Sequence, residues 1–264
     1  MEKAPGINSS ENRMGFSRTA RLGLCALALA AGIPETASAQ TFTKADSGWV
    51  RLFNGSDFTG IYSRLYGQPV TETPDPSWVI LNAGTDTAVI RGSSLSKQGN
   101  IGTKKSYSHY RMRVEYRHDV ANGNNNAGIT YHTDESAPRM QNNWPRSIEC
   151  QMKQSETGSA FSIQQVAFDS RTTGAGAGAN WAATGGTAIT ACEFGCNGRW
   201  YKGYPHIPGG TQWNRMEIVV RGSDSAIHMV NGTTVFKLWN IRLRSNSGQD
   251  QQAYGSGAIG LQSE

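Results

Sequence analysis

From Arg111 to Arg117 the sequence alternates without a break. Met112, Val114 and Tyr116 fall on one side, and Arg111, Arg113, Glu115 and Arg117 on the other. A period of two is the signature of a β-strand with one buried face, because successive side chains of a strand point to opposite faces. The same rhythm predicts strands over Met216–Val220 and Ser225–Val230. The second of these runs into Asn231-Gly232, a pair suited to the left-handed backbone of a tight hairpin, with Thr234–Phe236 as the return. Further strands are predicted over Trp49–Phe53, Trp78–Leu81, Ala88–Arg91, Asn126–His132, Arg146–Met152 and Ala258–Gln262. Turns rich in Gly, Asn, Ser and Thr separate them, and no long helical periodicity interrupts. About a dozen short strands of this kind imply an all-β chain folded as a sandwich or jelly roll.

One stretch departs from the rhythm. From Thr172 to Gly210 the chain is first rich in Gly and Ala and then aromatic, with Trp181, Trp200, Tyr201 and Tyr204. It reads as a long loop, of the kind that is either functional or mobile. It is not a linker, because strands resume after it and no second core is patterned.

The N-terminus carries a different message. Arg13, Arg18 and Arg21 precede an apolar run from Leu22 to Ile33, and the segment closes on Ala37-Ser38-Ala39. That is the order of a secretory signal peptide, and the run is shorter than the roughly 20 residues a membrane crossing needs. Residues 1–39 are therefore expected to be a leader cleaved before Gln40, with 40–264 as one β-sandwich domain. Export to the periplasm or the medium follows, without stable membrane insertion. The formal charge of +5 is mild and its cations are scattered, so nucleic acid is not an expected partner. Of the cysteines beyond the leader, Cys192 and Cys196 are close enough for a local disulfide, which an oxidising compartment permits. Cys150 is expected to be free and buried in a strand. No cofactor is expected. A zinc site would find only His206 near the two cysteines, and no ligand spacing indicates a divalent cation.

Several phrases occur in an order that resembles the 3-keto-disaccharide hydrolase family. Gly48–Phe58 is similar to that family's "G-x-x-x-L-F-N-G-x-D-L" start, and Asn126-Ala127-Gly128-Ile129 to its "N-S-G-I" strand. Glu149-Cys150-Gln151, followed by Thr157–Phe161, is similar to its "E-x-Q … T-G-x-x-Y" segment. Trp213-Asn214, the Asn231-Gly232 hairpin and Gly257–Gln262 complete the series. The resemblance runs from about residue 48 to the C-terminus and implies a concanavalin A-like β-sandwich. It also implies cleavage of glycosides already oxidised at C3, in which a base removes the acidified C2 proton, the C1 group is expelled and the glycal is hydrated. The net result is hydrolysis. Three departures stand out. His132 replaces an Arg, Gln154 replaces an Asp, and the chain stops at Glu264 before the closing "F-R-N-I" strand, which implies a sandwich short of its last strand.

The candidate residues cluster around Glu149. Glu149 and Gln151 are two apart in a predicted strand and so share one face. Glucanases of this fold resemble Glu-x-Asp-x-x-Glu on such a strand; here the places read Glu149, Gln151 and Gln154, and amides cannot supply the second carboxylate of ordinary glycoside hydrolysis. A keto-dependent elimination needs a base, a donor for the enolate and an acid for the leaving group. Glu149 is the candidate base, or else a metal or sugar ligand, and His132 its candidate acid/base partner. Gln151 and Asn126 are candidate hydrogen-bonding groups for the substrate. Trp144 is the candidate stacking platform, with Trp181, Trp200 and Tyr201 as further aromatic candidates. Carbohydrate is the expected partner. A lectin-like module that binds sugar on the same face without chemistry is the alternative.

Overall fold

The computed structural model describes residues 48–92, 98–119, 126–137, 144–208 and 211–263; the leader and its cleavage point lie outside these. The described residues form strands and turns with no helix, in antiparallel sheets. The first sheet orders β1 (Ile61–Leu65), β4 (Gly99–Thr103), β16 (Ala258–Ser263), β6 (Ala127–Asp134), β7 (Arg146–Gln151), β8 (Ala160–Ile163) and β11 (Trp200–Tyr201). The second orders β10 (Thr187–Cys192), β9 (Val166–Thr172), β14 (Thr233–Arg244), β13 (Ser225–Val230), β12 (Asn214–Arg221) and β5 (His109–Tyr116). β15 (Asp250–Ala253) pairs with β14, and β2 (Trp78–Leu81) with β3 (Val89–Gly92) forms a separate two-stranded sheet.

Alternation decides what lies between the two large sheets. Ile129, Tyr131, Ile148 and Cys150 point inward from the first. They meet Phe168, Met216, Ile218, Phe236 and Leu238 from the second, all in one buried cluster. Cys150 Sγ lies 3.3 Å from Met216 Sδ, so the free thiol serves as packing. A separate cluster of Ile61, Trp78 and Ile101, with Phe58 and Ile90 against it, seats the β2–β3 hairpin. Glu217, which faces away from the core on β12, is buried beneath the guanidinium groups of Arg111 and Arg113.

Two expectations are corrected. Trp49–Phe53 is not a strand: no strand pairs with it among the described residues, and alternation without a partner edge makes no ladder. Instead Trp49 packs 4.8 Å from the Arg113 guanidinium. Asn54 Oδ1 then accepts from the backbone N–H groups of Ser56 and Asp57 and turns the chain. The Thr172–Gly210 stretch is not a single loop either. It contains β10, which zips onto β9 from Thr187↔Thr172 to Cys192↔Ala167, and β11, which pairs with β8. These short Ala/Thr and Trp-Tyr segments carry little pattern of their own and take strand form because a partner edge is waiting. Cys192 and Cys196 are joined by a disulfide that ties the end of β10 to the turn before β11.

Candidate active site

The outward face of the first sheet carries the polar residues. Thr130 on β6 stands opposite Glu149 on β7, Glu149 opposite Phe161 on β8, and Phe161 opposite Trp200 on β11. The rings of Phe161 and Trp200 stack, with centroids 5.5 Å apart and planes 6° from parallel. One row along, Asn100, Gln262, Gly128 and Gln151 are register partners on β4, β16, β6 and β7. A carboxylate, amides and an aromatic wall thus lie side by side, each set there by a period of two and by strand register.

Glu149 is only 4% exposed. Its carboxylate leans over Gly128, and a Cβ built on Gly128 would overlap Glu149 Oε1 and crowd its Cγ and Cδ. Glycine in a strand often marks such a close approach. Gln151 is equally buried, and its side-chain carbonyl accepts from the backbone N–H groups of Met152 and Lys153, both at 2.9 Å. Because that end is the acceptor, the amide NH2 is the end left to donate outward.

The structure brings some sequence candidates together and separates others. Asn126 is half-buried immediately ahead of β6, in phase with Gly128 and so on the side of Glu149. His132 is not with them. The β6–β7 register shifts between Tyr131 and Asp134, His132 takes a φ of 51°, and its ring turns into the protein. There Nε2 donates to the Gly222 carbonyl at 3.0 Å, and the side chain is fully buried. Burial pushes its pKa down to about 4. That corrects the pairing of His132 with Glu149: a bulge, invisible to strict alternation, re-aims the residue. Trp144 is half-buried ahead of β7, where its carbonyl accepts from Gln164 Nε2 at 2.9 Å. The aromatic rings in register with Glu149 are those of Phe161 and Trp200. Trp181 and Tyr201 are core residues. Gln154 sits in the turn after β7, off the strand. Sequence reasoning missed Phe161 and Gln262 as parts of the site, since only cross-strand register connects them to Glu149. The glycine Gly128 inside a strand pattern was the local signal of a close approach.

A cleft of about 720 Å³ opens at the end of the same face, beyond Thr130. Among the described residues no three His, Cys, Asp or Glu side chains gather as a metal site, and no helix is long and apolar enough to cross a membrane.

Residues 48–264 match the 3-keto-alpha-glucoside-1,2-lyase-like domain. The chain belongs to that family. Membership places this lyase-like domain among carbohydrate-active proteins, and no curated protein sequence matches it. Its backbone is similar to the carbohydrate-binding module CBM66 of Bacillus subtilis, at 12% identity and a TM-score of 0.41, covering 78% of this chain and 89% of that one. A protein of unknown function with a galectin-like fold, also from Bacillus subtilis, gives 7% identity and 0.39, covering 78% and 83%. The β-agarase B of Zobellia galactanivorans gives 10% and 0.35, covering 77% of this chain and 60% of the agarase. Likenesses at these scores carry no functional argument.

Proposed function

We propose that this lyase-like domain cleaves 3-keto-glycosides by elimination and hydration, with Glu149 as the base. The observation that carries the reading is a buried carboxylate on the outer face, flanked in its strand and the neighbouring row by the amides Gln151 and Gln262. A substrate ketone at C3 acidifies the C2–H bond. Glu149 takes that proton, and the electron pair is delocalised onto the C3 oxygen, where the outward NH2 of Gln151 is suited to donate. As the ketone reforms, the C1–O bond breaks, C1=C2 forms and the leaving oxygen takes a proton. Water then adds across C1=C2 to give the free 3-keto sugar. Phe161 and Trp200 offer a flat apolar surface to a sugar face. With His132 turned into the core, it is not assigned as the acid.

A second reading is a carbohydrate-binding module without chemistry. The observation favouring it is that amides and stacked aromatics hold a sugar without needing a carboxylate. The experiment separating them uses 3-keto-trehalose and a 3-keto-glucoside beside their unoxidised parents, with Glu149→Gln as control. Release of 3-keto-glucose or its glycal only from the oxidised substrates is expected, with a loss of ~10²–10⁴-fold in the variant, the usual worth of a positioned base. Equal turnover by E149Q, or cleavage of unoxidised parents, would overturn the mechanism. Sugar binding by both proteins without turnover would favour the module.

We also propose export. The leader's pattern supports it, as does the Cys192–Cys196 bridge, a bond characteristic of oxidising compartments.

A further inference from the structure

The cleft beyond Thr130 is not used by the chemistry above, yet it adjoins it along two paths. Thr133, in its wall, donates through Oγ1 to Thr130 Oγ1 at 3.0 Å, and Thr130 stands opposite Glu149. Glu135, also in its wall, accepts from Asn100 Nδ2 at 2.8 Å, and Asn100 leads through Gln262 to Gly128, beneath the Glu149 carboxylate. The wall of the cleft nearest the carboxylate lies on β6 and β16, one and two strands from β7, ~5–10 Å across the sheet.

The lining is chemically specific. Tyr62 and Tyr254 offer rings, Val70 an apolar patch, and Thr71 and Ser106 hydroxyls. Two of the three acidic groups are held in place, Glu135 by Arg64 at 3.3 Å and by Asn100, and Asp134 by Arg146 at 3.5 Å; the third, Glu72, is exposed at the rim beside Lys104. Fixed acceptors beside ring faces suit a molecule with hydroxyl donors on its rim and C–H bonds on its faces. A volume of about 720 Å³ lies within the ~300–1,000 Å³ of ordinary small-molecule sites.

We infer that this cleft receives the leaving group, a hydroxyl-rich sugar joined through C1 to the keto sugar held at Glu149. The inference rests on the elimination proposed above. It makes the cleft the place where substrates with different leaving groups are told apart, since interactions with a remote group raise the rate only for substrates that carry it.

The test compares a 3-keto-disaccharide with methyl 3-keto-glucoside, whose leaving group is too small to reach the cleft. Val70→Trp and Ser106→Trp each place an indole in the cleft from an exposed position on its rim; Val70 is 44% exposed, so the fold should tolerate it. At least one variant should lower kcat/KM for the disaccharide about tenfold and leave the methyl glucoside within about twofold. An equal loss on both substrates, or no loss on either with both variants, would overturn the cleft assignment while leaving the elimination standing. Cleavage of neither substrate by the unaltered protein would instead remove the elimination, and the cleft's role with it.

Discussion

At the scale of single residues, the site depends as much on an absent atom as on those present. Glu149 is where it is because Gly128, on the neighbouring strand, leaves room for its carboxylate. Gly128→Ala should therefore displace the proposed base without removing its carboxylate. A misplacement of about 1 Å at a reacting group costs on the order of 10²-fold in rate, and the expected result is a kcat loss of that size with the variant still folded by circular dichroism. Unchanged kcat would mean that the carboxylate does not act from over Gly128. Gln151 illustrates the limit of sequence at this scale. Its shared face with Glu149 was legible from the spacing of two. The pinning of its carbonyl by Met152 and Lys153, which makes it a donor, was not, because that depends on how the chain turns after β7.

At the scale of elements, most strands with strong alternation were readable, and their limits follow from the same cause. β5 carries an unbroken period of two from Arg111, β12 and β13 a looser one, and all three lie where the pattern puts them. β4 reads Gly-Asn-Ile-Gly-Thr and has almost no strand propensity of its own, yet all five residues are buried between β1 and β16. Gly102 is required there because the Tyr62 ring occupies the space a Cβ would take. β10 and β11 likewise exist through their partners, and the Cys192–Cys196 bridge holds the segment between them. Closing so short a loop is worth about 2 kcal/mol in the chain-entropy account. Protein recovered from outside the cytoplasm should begin at Gln40 and carry this bridge, and reducing it should lower stability in urea by about that amount. A chain found in the cytoplasm with its leader intact and both thiols reduced would overturn export and the bridge together.

At the scale of the whole molecule, two histidines join the sheets and make the fold sensitive to acid. His228, on β13, has Nδ1 3.1 Å from the Gly158 carbonyl, which can only accept, so Nδ1 carries the proton. Nε2 is then free to accept from the Tyr131 hydroxyl at 2.9 Å, on the opposite sheet. His132 on β6 reaches across to the Gly222 carbonyl. Desolvation pushes both pKa values down to about 4, from 6.5. Between these limits the unfolded chain binds protons that the folded one does not, so stability falls as pH drops from 6.5 and levels off below 4. The upper bound is roughly 3 kcal/mol per histidine. Urea unfolding between pH 7 and 4 should show this slope, and His228→Gln should flatten it. A slope that His228→Gln leaves unchanged would show that His228 is not one of its sources.

The sequence by itself determined the all-β class, the strands whose faces differ in polarity, the family and the shared strand face of Glu149 and Gln151. It could do so because a period of two is local and because Glu149 and Gln151 are neighbours on one strand. Only the tertiary structure decided that His132 turns away at a bulge, that Phe161 and Trp200 form the wall beside Glu149, and that a cleft opens beyond Thr130. Those facts arise from register and strand order, which join residues far apart in the chain through backbone hydrogen bonds that carry no side-chain code.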